Sequence, residues 1–280
     1  MAETKSSGPL AGLRILDMTA VVLGPLATQI LGDYGADVIK VEPLEGDLMR
    51  ANGAQRADGS TAGLSSIFLA INRNKRSLAI DLKAEEGRAA LRRLVSTCDA
   101  LVHNMRVEAI ERLGFGYADV KQIKPDIVYC VATGFGQDGP GAARPAFDDV
   151  IQAASGMVAV SNVYAERPDY VSSLIADKTT GLALVNAVLA ALFHRERTGE
   201  GQRIEIPMYE TLVEFTLGDH LQGETYEPAV GPTINKRATS SSRRPYRSKD
   251  GMICVVPNSD KHWQEFFRVS GLDATYGKDP

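Results

Sequence analysis

The first 140 residues alternate short aliphatic runs with amphipathic stretches. GLRILDM (12–18) is a compact apolar run ending at Thr19, Gly24 and Pro25, a cluster suited to starting a helix. Proline is tolerated there because a first-turn N–H has no partner to lose. LATQILGDYG (26–35) reads as a helix stopped by glycine, and ADVIKVEP (36–43) as a strand ended by Pro43. A polar stretch rich in Gly and Ala follows, then RSLAIDL (76–82) as a strand. In KAEEGRAALRRLVSTCDA (83–100), Ala89, Leu91, Leu94 and Val95 fall at roughly helical spacing. ALVHNM (100–105) reads as a strand, 107–125 as helical in at least its first part, and DIVYCVATGFG (126–136) as a strand. Strands alternating with helices imply parallel pairing and an α/β architecture, an open sheet flanked by helices.

Beyond Pro140 the pattern loosens. FDDVIQAASGMVAV (147–160) predicts a helix followed by a short extended piece. Asp177 is expected to open a long helix to Gly199 with a nearly continuous apolar face and a basic end at His194, Arg195 and Arg197. QRIEIPMYETLVEF (202–215) supplies a strand and a helix, GMICVVPN (251–258) a strand and DKHWQEFFRVSG (260–271) a helix. The boundaries expected are a large domain over 1–222, a linker over 223–250 rich in Gly, Pro, Ser and Arg, and an incomplete smaller α/β domain over 251–280.

The 280 residues carry 31 Lys and Arg against 35 Asp and Glu, a formal charge of −4, which does not suggest a nucleic-acid-binding surface. Cys98, Cys130 and Cys254 lie too far apart for a zinc site, a CxxC redox pair or a disulfide scaffold. No metal site is expected. MAETKSSGPL lacks a signal peptide's apolar core, and the greasy run from Leu182 to Phe193 is too short to span a bilayer. These features predict a cytoplasmic protein without membrane association.

Gly134–Gly139 (GFGQDG) matches GxGxxG after a strand, but Pro140, Gly141 and Pro145 follow where a phosphate-binding helix should start, so a turn is expected instead. The four histidines, His103, His194, His220 and His262, are scattered, and a structural or surface role is expected for each. The basic run Lys236–Lys249, six Lys or Arg and no acid, reads as solvated linker. Asp177 admits two readings. An aspartate at a helix start can simply cap it. The same placement can hold a carboxylate ionised by the helix dipole in apolar surroundings, poised to attack an acyl carbon. The pattern alone leaves both open.

Several ordered segments carry a resemblance. They are 10–43 (LAGLRILDMTAVVLGPLATQILGDYGADVIKVEP), 72–83 (NRNKRSLAIDLK), 103–115 (HNMRVEAIERLGF), 132–140 (ATGFGQDGP), 147–156 (FDDVIQAASG), 175–181 (IADKTTG) and 190–202 (AALFHRERTGEGQ). Together they resemble the class III CoA-transferases, the family of formyl-CoA transferase, carnitine CoA-transferase and α-methylacyl-CoA racemase. The resemblance implies a Rossmann-like large domain, an interlocked homodimer, and transfer of coenzyme A from a thioester donor to a free carboxylic acid, with no permanently bound cofactor. Asp177 falls at the family's nucleophile, which passes through a mixed anhydride and an aspartyl-CoA thioester. Gly181 and neighbouring amides are expected to help stabilise the oxyanions.

By the same resemblance, Val22 and Leu23 match an early CoA contact. Ile80, Asp81, Leu82 and Lys83 match the stretch holding the adenosine end. Asn104, Met105 and Arg106 match a contact loop, Arg112 a phosphate-side arginine, and Arg144 to Phe147 the segment beside the pantetheine. Three departures narrow the expectation. Phe147 stands where racemases of the family carry a histidine, Val256–Asp260 where formyl-CoA transferases have a glycine-rich loop, and Pro43 where a basic residue is common. Family members also continue beyond the equivalent of Pro280. Phe147 ranks an α-methylacyl-CoA racemase well below a transferase, and the length adds an inactive truncated CoA-binding fragment as the other alternative.

Overall fold

Strands that are apolar at nearly every position must be covered on both faces, and this chain covers them with helices above and below one parallel sheet. The structure, a computed structural model, describes residues 7–163 and 167–272. The chain divides into two compact units, Met1–Leu221 and Gln222–Pro280.

In the first unit the elements run β1 (Arg14–Met18), α1 (Leu23–Asp33), β2 (Asp37–Glu42), α2 (Ser66–Asn72), β3 (Lys75–Ala79), α3 (Glu85–Val95), β4 (Ala100–His103), α4 (Val107–Arg112) and α5 (Tyr117–Ile123). They continue with β5 (Val128–Thr133), α6 (Asp148–Ala154), α7 (Met157–Ser161), α8 (Ile175–Thr198), β6 (Arg203–Pro207) and α9 (Met208–His220). The six strands are parallel in the order β3-β2-β1-β4-β5-β6. The chain winds outward from β1 one way, then from β4 the other, so the strand order reverses between β1 and β4. Ligands of such sheets bind in the crevice at the carboxyl ends of the strands at that reversal.

Side chains alternate across the strands into two cores. Ile15, Val38, Val102, Val128 and Cys130 face α1, α8 and α9 through Leu31, Leu184, Val188 and Leu212. Leu16, Met18, Leu101 and Tyr129 belong to the other core, with Leu91 and Val95 of α3, Ile110 of α4 and Val120 of α5. This explains why α8, although 24 residues long and apolar enough to cross a membrane, is a core helix. Ala176, Thr180, Leu184, Val188 and Leu192 bury a stripe at near-fourfold spacing, and the helix ends at Gly199 in the left-handed conformation (φ 75°). Leu182 and Phe193, on its other side, are exposed, so the burial is one-sided where the apolar sequence suggested more.

Other differences from the sequence reading have local causes. Residues 157–160 are helical, not extended. The Gly- and Ala-rich stretch before β3 holds α2, whose Ser65 side chain accepts the Phe68 N–H as an N-cap. The helical segment after β4 is two helices because Gly114 adopts φ 78° between them. In the second unit, the stretch read as a linker contains α10 (Lys236–Thr239), followed by β7 (Tyr246–Arg247), β8 (Met252–Ile253) and α11 (Asp260–Ser270). Only two residues of the predicted 251–258 strand pair, antiparallel to β7.

Candidate active site

The turn joining β1 to α1 sits at the strand-order reversal, and an unusual number of side chains grip it. Asn104, just past β4, accepts the Ala20 N–H (2.9 Å) and donates to the Ala20 carbonyl (2.8 Å). Lys40 of β2 donates to the Thr19 carbonyl (2.8 Å) and is ion-paired with Asp47 at 2.9 Å, both side chains about 1% exposed. Asp47 also accepts the N–H of Val21, at a long 3.4 Å, and of Met49, at 2.9 Å. Val21 is held at φ 72°, a genuine outlier for a β-branched residue. Neighbouring charges complete a buried network. Lys75 pairs with Asp17 at 2.9 Å, and burial, opposed by the Asp17 charge, brings its ammonium down to about 8. Burial would raise the Glu42 carboxyl, but Arg50, Ser77 and the Asp47 N–H overcome it and hold the group at about 2.

Three cavities share walls along this edge. One of about 430 Å³ is lined by Ala20, Lys40, Pro43, Ile80, Asp81, Leu82, Lys83 and Met105, among others. A second, about 470 Å³, shares Met105 with it and adds Asn104, Arg106, Arg144 and Phe147. The third, about 220 Å³, shares Asn104, Thr133, Gly134 and Phe147 with the second and is closed by Val22, Leu23, Asp148 and Asp177.

The structure thus brings together every binding residue expected from the sequence except Arg112, an exposed residue of the last turn of α4 that lines none of these three cavities. Lys83, Arg106 and Arg144 are exposed, and the Arg144 guanidinium lies 4.9 Å from the centre of the Phe135 ring. The GxGxxG stretch forms a turn with three of its amides engaged: Gly136 N–H donates to Glu210, Gln137 N–H to Glu205 and Gly139 N–H to the Gly136 carbonyl.

Asp177 is the third residue of α8, and its side chain does not cap the helix. Asp148, in the first turn of α6, does the equivalent service by accepting the Asp177 N–H at 3.0 Å. The Asp177 carboxyl is pushed up to about 7, by burial first and then by the Asp148 charge. Burial and the second carboxylate thus act against the ionised form at the helix start, where the dipole favours it. Gly181 is also not an oxyanion donor. It lies one turn further into α8, where its N–H is committed to the helix, and a Cβ there would sit 2.9 Å from the Leu23 carbonyl oxygen. Its smallness lets α8 approach α1. Asp148, Lys40 and Asp47 were not singled out from the sequence. Their roles depend on pairings 29, 21 and 26 positions away, and only the doubled acid of FDD at a helix start hinted at one.

The cleft at the reversal of this doubly wound α/β sheet, with the half-buried Asp177 carboxyl at one end, is the candidate active site. The chain belongs to CoA-transferase family III, whose pattern it matches over residues 10–280. It is 33% identical over 273 residues to a succinate–glutarate CoA-transferase of Agrobacterium fabrum, covering 95% of this chain and 67% of that protein. It is 33% identical over 261 residues to a succinyl-CoA:mesaconate CoA-transferase of Haloarcula hispanica, covering 92% and 66%. The crystal structure of a CAIB/BAIF family protein from Brucella suis superposes with a TM-score of 0.83 at 31% identity, over 97% of this chain and 72% of that one. The chain spans about two thirds of the length of the curated relatives it matches.

Proposed function

We propose that this protein transfers coenzyme A from an acyl-CoA to a free carboxylic acid, with Asp177 as the nucleophile. The observation that carries the reading is a carboxyl that lines the cleft and accepts no hydrogen bond from a described residue. Its raised pKa makes the ionised form a better nucleophile than an ordinary carboxylate. The carboxylate attacks the thioester carbon, giving a mixed anhydride and CoA thiolate. The thiolate attacks the Asp177 acyl carbon, leaving an aspartyl-CoA thioester and the free donor acid. The acceptor carboxylate then displaces the thiolate to form a second anhydride. The thiolate finally attacks the acceptor acyl carbon, and the Asp177 carboxylate is regenerated.

In this reading the 430 Å³ cavity takes the adenosine end of the coenzyme, with Lys83 as a phosphate point charge. Arg106 and Arg144 border the path of the arm toward Asp177. The names of the relatives point to short dicarboxylic acids as donor and acceptor, succinyl-CoA first. A homodimer completes the proposal. A proton shuttle at the α-carbon is not proposed, since no histidine is among the residues lining the three cavities. The test offers mixed acyl-CoAs and free acids to wild-type protein and Asp177→Asn, with exchange products read by mass spectrometry. Exchange by the wild type alone supports the reading; undiminished exchange by Asp177→Asn, or α-deuterium uptake without an acceptor acid, overturns it.

A further inference from the structure

The turn at Thr19–Val21 is gripped more tightly than a connection between a strand and a helix requires. Besides the two that Thr19 donates to Asp17, its three consecutive residues share four hydrogen bonds with side chains from more distant parts of the fold: Lys40 of β2, Asn104 after β4 and Asp47 after β2. The residue so held, Val21, has a left-handed backbone that a branched side chain resists. A buried lysine–aspartate pair is itself a poor way to stabilise a fold, because desolvating both charges offsets their attraction. Val21 and the two residues after it, Val22 and Leu23, line one side of the cavity that contains Asp177. Leu23 also begins α1, whose first N–H groups have no partner within the helix.

We propose that Lys40, Asp47 and Asn104 are positioning residues that hold Val21 in its strained conformation, and so set the Val22–Leu23 wall and the start of α1 against the acyl group carried by Asp177. The proposal rests on the function given above. It also reassigns Asn104, whose amide is engaged at both ends with the Ala20 backbone. A ligand contact there would have to come from what remains of its hydrogen-bonding capacity. Strain of this kind persists only where the surroundings over-determine it, and the clamp is that over-determination.

The test is a cycle between Val21→Gly and Asn104→Ala in the full chain, with Asp47→Asn as a second clamp variant that preserves side-chain size. Two readouts are taken. The first is melting temperature, which needs no activity. Glycine adopts φ 72° freely, so Val21→Gly is expected to melt above Val21→Ala, which loses the same packing against the Met49, Phe68 and Ile71 cluster, and to lose that advantage in Asn104→Ala, where the turn has already relaxed. Additive shifts would overturn the claim that the clamp holds the strain. The second readout is steady-state transfer. Asn104→Ala and Asp47→Asn should each lower kcat about tenfold or more, with KM for the acyl-CoA changed less than threefold. Adding Val21→Gly to Asn104→Ala should recover several-fold of kcat. Unchanged kcat, parallel loss of kcat and affinity, or no recovery would overturn the positioning role. Should a clamp variant fail to fold, Val21→Gly against Val21→Ala still decides the strain: a melting temperature no higher than that of Val21→Ala counts against it. The nucleophile assignment is judged separately, by Asp177→Asn, so the two ideas fail by different results.

Discussion

Burial and the Asp148 charge push the Asp177 carboxyl up to about 7, well above the ordinary carboxylate range, and both activity and stability should report it. Only the ionised form attacks a thioester, so kcat/KM should rise with pH to a plateau, with a midpoint near 7. Replacing Asp148 with Asn keeps an oxygen for the Asp177 N–H but removes the charge, and the midpoint of the pH–rate profile should move to lower pH. Stability runs the other way. Between about pH 4 and 7 the folded chain retains a proton on Asp177 that the unfolded chain has lost, so this group's contribution to stability falls as pH rises through that window. Asp177→Asn should therefore melt at a higher temperature than the wild type at pH 8, and the gap should close toward pH 4. Melting curves at several pH values check this. An unchanging gap would mean that the carboxyl titrates normally. None of this could be read from the residues 175–181, because the charge that tunes Asp177 comes from another helix.

At the scale of elements, the approach of α8 to α1 decides where Asp177 lies. Gly181 permits that approach. Gly181→Ala places a methyl 2.9 Å from the Leu23 carbonyl oxygen and should cost about 1–3 kcal/mol, read by denaturant titration. Leu184→Ala, one turn on and fully buried, should cost about 2–5 kcal/mol through the cavity it leaves. Strands and long helices were legible in the sequence because burial on two faces writes an aliphatic run, as in 128–133, and burial on one face writes a helical stripe, as in α3. The 3₁₀ turn Leu48–Arg50 and the short α2 were not, since seven residues or fewer carry too little periodicity. The 157–160 segment was misread for the same reason. Its apolar run suits a strand as well as a helix, and the choice was made by packing.

Across the whole molecule, one topological fact gathers the site. The strand order reverses between β1 and β4, so loops separated by more than 80 positions meet, as Ala20 and Asn104 do. The cleft was therefore visible in the sequence only as a set of separate segments in order. Their family resemblance matched Val22, Lys83, Asn104 and Arg144 to coenzyme contacts and Asp177 to the nucleophile, residues that line the adjoining cavities, but the ionic network beneath them left no such trace. Lys40, Asp47 and Asp17 read simply as charges between apolar residues. The most direct measurement of the central claim is capture of the covalent intermediate. Wild-type protein is incubated with an acyl-CoA and no acceptor, treated with hydroxylamine, digested and analysed by mass spectrometry. A hydroxamate is expected on the side chain of Asp177 and nowhere else, and none in Asp177→Asn. A hydroxamate at another carboxyl, or CoA exchange by the wild type with Asp177 never modified, would contradict it.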